Sequence, residues 1–94
     1  MTLDELINFV KKRGFWDTFR ILSQSKNNRT EIHIFYQKLN EFSYYNSYLR
    51  IKGKLIERGL IAIERKNNKK AIRLTQKGKT VLKKLIELDS LLKS

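Results

Sequence analysis

The sequence contains no cysteine and no proline, and it has one histidine in 94 residues. Without cysteine the chain can form no disulfide, no thiolate metal site and no thiol nucleophile. His33 has no second histidine, cysteine or nearby carboxylate pair to complete a metal or catalytic site, so we expect it to have a surface or packing role. A Gly-rich phosphate loop is missing, and apart from the adjacent Asp4 and Glu5 the carboxylates are scattered singly. The sequence therefore predicts no metal, no cofactor, no small-molecule ligand and no enzymatic activity.

Long apolar segments are also missing. No run approaches the roughly 20 residues that span a bilayer, and the N-terminal stretch MTLDELINFVKK has the opposite charge order to a signal peptide. We therefore expect no membrane partner and a cytoplasmic location. With 40% hydrophobic and 32% charged residues, and no repeat or linker-like tract, the composition predicts one folded domain over residues 1–94.

Acidic residues are few, and the positive excess is concentrated in one half of the chain. The formal net charge is +12. Residues 1–42 hold 7 lysines and arginines against 5 acidic residues, whereas residues 43–94 hold 14 against 4. Charge gathered on one half favours a polyanionic partner. The alternative is a lysine-rich surface that is merely solvated.

Residues 43–58 show the periodicity of an amphipathic helix. The apolar residues repeat at helical spacing and form one arc: Tyr44, Tyr45, Tyr48, Leu49, Ile51, Leu55 and Ile56. The opposite arc is polar and carries two cations: Asn46, Ser47, Arg50, Gly53, Lys54 and Glu57. Ser43 is a good N-cap, and Gly59 is a good left-handed C-cap. We therefore predict a helix that turns its polar face outward.

After this helix the period changes from 3.6 to 2, which predicts a β-hairpin over residues 60–75. A two-residue turn at Asn67 and Asn68 sets the register. This register pairs apolar residues on the inner face: Ile61 with Leu74, and Ile63 with Ile72. It places Glu64 diagonal to Arg73 on the outer face and gathers four cations at the tip: Arg65, Lys66, Lys69 and Lys70. Like charges across strands repel each other, so we expect an anionic partner at the tip.

The first half of the chain predicts three further helices. Thr2 begins a capping box for a helix that Gly14 closes. An aromatic second helix follows, with Phe15, Trp16, Phe19 and Leu22, and we expect it to pack in the core or in a dimer interface. Residues 23–29 are predicted to be a loop. Thr30 is a candidate cap for a third helix, which makes a helix-turn-helix with the fourth.

The last helix, which Thr75 is expected to cap, is rich in leucine. Val81, Leu85, Leu88 and Leu92 repeat at the spacing of a heptad seam. This helix has more apolar surface than one small domain easily covers, although packing on its own core is the alternative. We predict a homodimer formed through this seam.

The resulting order, α-α-α-α-β-β-α, resembles the winged helix-turn-helix superfamily. The similarity is carried by LRIKGKLIERGLI at residues 49–61, RLTQKGKTVL at 73–82, the pair at 29–30 and the triplet at 43–45. The chain is similar to small archaeal chromatin-type DNA-binding proteins and, more distantly, to MarR-type and PadR-type regulators. The predicted fold is mostly α with a small β-hairpin. Its segments are an extra N-terminal helix at 1–14, a helix-turn-helix at 30–58, a wing at 60–75 and a dimerisation helix at 76–94.

These observations together favour a protein that binds double-stranded DNA. It would be a dimeric transcriptional regulator or, alternatively, a nucleoid-associated, chromatin-like architectural protein of low sequence specificity. In the major groove Asn46 suits adenine and Arg50 suits guanine. The other candidate contacts are mostly to phosphates or the minor groove: Ser43, Tyr44, Ser47, Lys54, Arg65, Lys66, Lys69 and Lys70. A second alternative is a protein-binding module, which the cationic helix face disfavours because protein interfaces deplete lysine.

Overall fold

The computed structural model describes residues 1–42 and 45–93. In chain order the elements are α1 (Leu3–Val10), α2 (Arg13–Ser23), a short 3-10 turn (Lys26–Asn28), β1 (Arg29–Glu31), α3 (Ile32–Phe42), α4 (Tyr45–Glu57), β2 (Ile61–Lys66), β3 (Lys69–Leu74) and α5 (Gln76–Lys93). The predicted fold class is confirmed, and the predicted order is matched except for one additional strand. The predicted N-cap Ser43 and its neighbour Tyr44 lie outside the described residues.

The additional strand is β1, and it corrects two predictions. The sequence predicts a loop at Arg29 and a helix cap at Thr30, but both residues lie in a strand that pairs antiparallel with β3. The sheet order is therefore β1-β3-β2. A strand of three residues is too short to show a period of two, and two of its three residues are charged. Its pairing with β3 is a tertiary contact that no local pattern signals.

The hairpin of β2 and β3 has the predicted register. Ile61 lies opposite Leu74 and Ile63 opposite Ile72. Asn67 and Asn68 have φ angles of 52° and 65°. Positive φ at both central residues is the geometry of a type I′ turn, which matches the twist of the strands and which asparagine tolerates.

The core lies between α2, α3, α4 and the inner face of the sheet. Its side chains are almost all large and apolar: Phe15, Phe19, Ile21, Leu22, Phe35, Leu39, Tyr48, Ile51, Leu55, Leu60, Ile61, Ile72 and Leu74. The rings of Phe15 and Phe19 stand 4.8 Å apart, and those of Phe35 and Tyr48 stand 4.9 Å apart. The expectation that the aromatic helix packs in the core holds for α2, but Trp16 remains 48% exposed.

Gly14 lies inside α2, so the prediction that it closes the first helix is wrong. A Cβ at this position would lie 2.2 Å from the carbonyl oxygen of Ser47 and 2.8 Å from the side chain of Ile51. The residue therefore lets α2 approach the backbone of α4. Thr2 is confirmed as the N-cap of α1, because the Glu5 amide donates to Thr2 Oγ1 at 3.2 Å, and the Glu5 carboxylate accepts from the Thr2 hydroxyl at 3.3 Å.

A compact junction joins the end of α4 to the start of α5. Gly59 has φ = 72°, and the amides of Gly59 and Leu60 donate to the carbonyls of Ile56 and Leu55, each at 2.9 Å. This pattern is a Schellman C-cap, as the sequence predicts. Thr75 caps α5, because its hydroxyl oxygen accepts from the Gly78 amide at 2.9 Å while the hydroxyl donates to the Gly59 carbonyl. The junction thus fixes α4, the hairpin and α5 relative to one another.

Candidate nucleic-acid interface

The outward face of α4 is polar, as the sequence predicts. Tyr48, Ile51 and Leu55 are buried on the core side. Exposed residues occupy the opposite side: Asn46, Arg50, Gly53, Lys54 and Glu57. Asn46 and Arg50 are one helical turn apart and therefore share a face. Helix α4 thus presents an amide and a guanidinium side by side to solvent.

Three apolar residues of α4 lie outside the core, which corrects the predicted width of its buried arc. Tyr45, Leu49 and Ile56 are 37%, 41% and 43% exposed. On a helical wheel they occupy the flank opposite Ser47. Helix α2 packs against the Ser47 side, where Gly14 sits, so Ser47 is half-buried and the other flank stays open. The sequence pattern could not show which flank a neighbouring helix would cover.

Packed tyrosines support the first turn of α4. The rings of Tyr36 and Tyr45 meet edge to face with centroids 4.7 Å apart, and Tyr48 lies beneath them. Burial raises the pKa of Tyr48 above its usual range, and the neighbouring Tyr36 and Tyr45 raise it further. Burial and a hydrogen bond with Tyr45 also raise the pKa of Tyr36. The raised pKa values reflect the packing of these phenols beside the first turn of α4.

In the hairpin tip, residues 65–70, cations lie directly opposite one another across the two strands. Arg65 lies across from Lys70, and Lys66 lies across from Lys69. All four residues are exposed. Each of these cross-strand pairs of like charge is destabilising by a few tenths of a kcal/mol to about 1 kcal/mol.

Nearer the base of the hairpin, in contrast to its tip, the cations have a carboxylate partner. Arg73 donates a hydrogen bond to the carboxylate of Glu64, which confirms the predicted diagonal pair. Arg29 Nε lies 3.6 Å from the other carboxylate oxygen. The hydrogen bond from Arg73 lowers the pKa of Glu64, and the charge of Arg29 adds to the effect. Glu64 therefore ties β1, β2 and β3 together, and the excess cations are left at the tip.

His33 lies next to the hairpin tip, in the first turn of α3. It is exposed, and its Nδ1 atom is 3.3 Å from a carboxylate oxygen of Glu31. The other oxygen of Glu31 lies 3.9 Å from Lys69 Nζ. No local pattern predicts this proximity, because it depends on the pairing of β1 with β3.

The predicted dimer seam divides into two halves. Val81 and Leu85 are half-buried and pack against the core, whereas Leu88 and Leu92 are 51% and 77% exposed. From residue 86 to residue 93 every residue of α5 is exposed. The seam is therefore partly intramolecular, as the alternative prediction held, and partly open to solvent.

A continuous apolar surface surrounds the open half of the seam. One groove of about 380 Å³ between α2 and α5 is lined by Trp16, Leu85, Leu88 and Leu92 among others. A second groove, between α1 and α5, is lined by Leu6 and again by Leu85. Because Leu85 borders both grooves, the three helices form one surface, here called the α1/α2/α5 surface.

Two further properties hold within the described ranges 1–42 and 45–93. None of the helices there is long and apolar enough to cross a membrane. No group of three or more metal-ligating side chains is found in this part of the chain.

Comparison with known proteins gives one match. No curated protein and no solved structure matches the sequence. A family model described as winged helix-turn-helix matches residues 3–93. The match covers all five helices and the three-stranded sheet. The chain therefore belongs to the winged helix-turn-helix family.

Proposed function

We propose that this protein binds double-stranded DNA through the outward face of α4 and the hairpin tip, as a dimeric transcriptional regulator. Membership of the winged helix-turn-helix family suggests DNA binding, and the family is typically non-enzymatic. The observation that carries the proposal is that two pairs of cations lie opposite each other across the two strands next to the hairpin turn. Such a tip opposes folding of the free protein, and a phosphate backbone relieves the repulsion.

The face of α4 has the groups needed to read base edges in the major groove. Asn46 can form bidentate hydrogen bonds with adenine, and Arg50 can do so with guanine. Gly53 is exposed, and a Cβ built on it meets no atom within 4 Å, so the helix can approach the bases closely there. Leu49 borders the same face and offers an apolar contact for a thymine methyl group.

Other residues would fix the protein's position on the DNA. Backbone contacts orient a protein on the duplex without reading sequence. On α4 and the segment before it, we assign this role to Ser43, Tyr44, Ser47 and Lys54. At the hairpin tip we assign contacts with the minor groove or the backbone to Arg65, Lys66, Lys69 and Lys70. This role implies an intracellular, nucleoid-associated location.

The α1/α2/α5 surface is proposed to join two copies of the chain. One recognition helix reads only a few base pairs, whereas two helices related by a two-fold axis read two half-sites. The exposed turns of α5 place Leu88 and Leu92 beside Trp16. Under two-fold symmetry a second copy brings the same apolar residues, so an apolar patch meets an apolar patch across the axis.

Binding to duplex DNA tests the proposal directly. The wild-type chain is titrated with a random-sequence duplex at moderate salt, beside a variant with Lys69→Ala and Lys70→Ala. A variant with Lys83→Ala and Lys84→Ala is the matched control, because it removes the same charge from exposed positions on α5. We expect the wild type and the control to bind and the hairpin variant to bind more weakly.

Selection of sites from a random duplex pool then separates the two DNA-binding roles. A regulator enriches a defined motif with two-fold symmetry. A chromatin-like architectural protein retains DNA without enriching a motif. Absence of binding in both experiments contradicts the proposal and leaves a protein-binding module as the alternative.

A further inference from the structure

A polar cleft of about 540 Å³ separates the hairpin tip from the first turn of α3. Glu31 and His33 line one side, and Arg65, Lys69 and Lys70 line the other. The N-terminal turn of α3 forms part of the wall, and a helix N-terminus favours anions. The cleft is wide enough for a phosphate group, and cations predominate among its charged groups.

Glu31 is the carboxylate among these groups, and it lies close to two of them. Its oxygens are 3.3 Å from His33 Nδ1 and 3.9 Å from Lys69 Nζ. All three side chains are more than one-third exposed. The charged groups around His33 are therefore Glu31 from β1, Arg65 from β2, and Lys69 and Lys70 from β3. In the free protein the Glu31 carboxylate lies beside the same cationic groups that an external anion would contact.

We propose that this cleft seats a phosphate of the DNA backbone and that protonated His33 contacts it, so that DNA affinity rises as the pH falls. The inference rests on the proposed function and adds His33 to the interface. Histidine changes charge between about pH 5 and pH 8. A phosphate beside the imidazole favours its protonated form, so binding takes up a proton. Acidification therefore strengthens binding.

The composition of the chain makes this inference testable at one residue. His33 is the only histidine, and the chain has no cysteine. Because His33 is exposed, its replacement leaves the core intact.

The experiment measures affinity for one duplex at about pH 8 and about pH 5.5, at constant ionic strength. The wild type is compared with His33→Gln, which cannot be charged, and with His33→Arg, which is always charged. We expect the wild type to bind roughly two- to fivefold more tightly at the lower pH, the gain typical of an exposed ion pair. His33→Gln should bind weakly and His33→Arg tightly, both without pH dependence.

A further variant tests the part played by the carboxylate. Glu31→Gln removes the intramolecular anion and should raise affinity at both pH values. Equal wild-type affinity at the two pH values, or pH dependence that persists in His33→Gln, overturns this inference but leaves the proposed function intact. If the wild type fails to bind even at the lower pH, both the inference and the proposed function fail.

Discussion

Two glycines in helix interiors have opposite surroundings, and the difference defines a role for each. Gly14 lies against the backbone of α4, where a Cβ would overlap the Ser47 carbonyl oxygen. Gly53 lies on the outward face of α4, where a Cβ meets no atom within 4 Å. The first glycine is required by packing within the fold. The second has no such requirement and lowers the helix propensity of α4.

We predict opposite effects of the same substitution at these two positions. Gly14→Ala should lower the free energy of unfolding by about 1 to 3 kcal/mol, because α2 and α4 must move apart. Gly53→Ala should raise it by about 0.5 to 1 kcal/mol, because alanine favours a helix interior. Urea denaturation of both variants checks the prediction. Changes of the same sign would contradict the assigned packing of α2 on α4.

The sequence predicted residue roles well where local chemistry determines them. Thr2, Gly59 and Thr75 lie at helix ends, where backbone geometry and a hydroxyl or a missing side chain suffice. The sequence did not predict the surroundings of Gly14 and Leu49, because these depend on which neighbouring helix covers α4. These are tertiary contacts, and one helical wheel contains no information about them.

At the scale of elements, the long and strongly periodic segments were predicted and the short strand was not. Helix α4 has 13 residues, and each of the two strands of the hairpin has six. Turn residues lie at the ends of these elements. Strand β1 has three residues and exists because β3 provides a partner. Without β1, the sequence pattern does not place Glu31 and His33 beside the hairpin tip, and it does not predict the cleft there.

Helix α4 and the hairpin tip are predicted to divide the work of DNA recognition. Asn46→Ala or Arg50→Ala should lose about 1 to 3 kcal/mol on a preferred site and little on random DNA, because a base contact is lost. The double variant Lys69→Ala and Lys70→Ala should weaken binding to all sequences similarly. Fluorescence anisotropy on a selected and a scrambled duplex measures both effects.

The matched α5 variant, Lys83→Ala with Lys84→Ala, controls for the loss of net charge. It should bind both duplexes nearly as the wild type does. If the hairpin variant lost only specific binding while Arg50→Ala lost both kinds equally, the assigned roles would be wrong.

At the scale of the whole molecule, the exposed part of α5 predicts a homodimer. Burying one exposed leucine contributes roughly 1.5 to 3 kcal/mol, and the α1/α2/α5 surface contains several. Leu88→Glu should give a folded monomer with greatly reduced DNA affinity, since two half-sites about 34 Å apart can no longer be bound together. Sedimentation at tens of micromolar, with circular dichroism for folding, measures the outcome.

Ser90→Glu is the matched control for this substitution. It adds the same charge to an exposed position two residues along α5, on a different face of the helix. The control should remain dimeric. A monomeric wild type, or a Leu88→Glu variant that unfolds with no dimer to lose, would show that the exposed half of the seam joins no second copy.

The salt dependence of duplex affinity tests the central claim most directly. The claim is that the cations of α4 and the hairpin tip are directed at phosphates, and each phosphate neutralised contributes about 0.9 to the slope of log affinity against log salt. With five or six contacts per subunit, we expect a slope near −5 per subunit, and a shallower slope when Lys69 and Lys70 are replaced by alanine. A slope close to zero between low and moderate salt would contradict DNA binding by this surface.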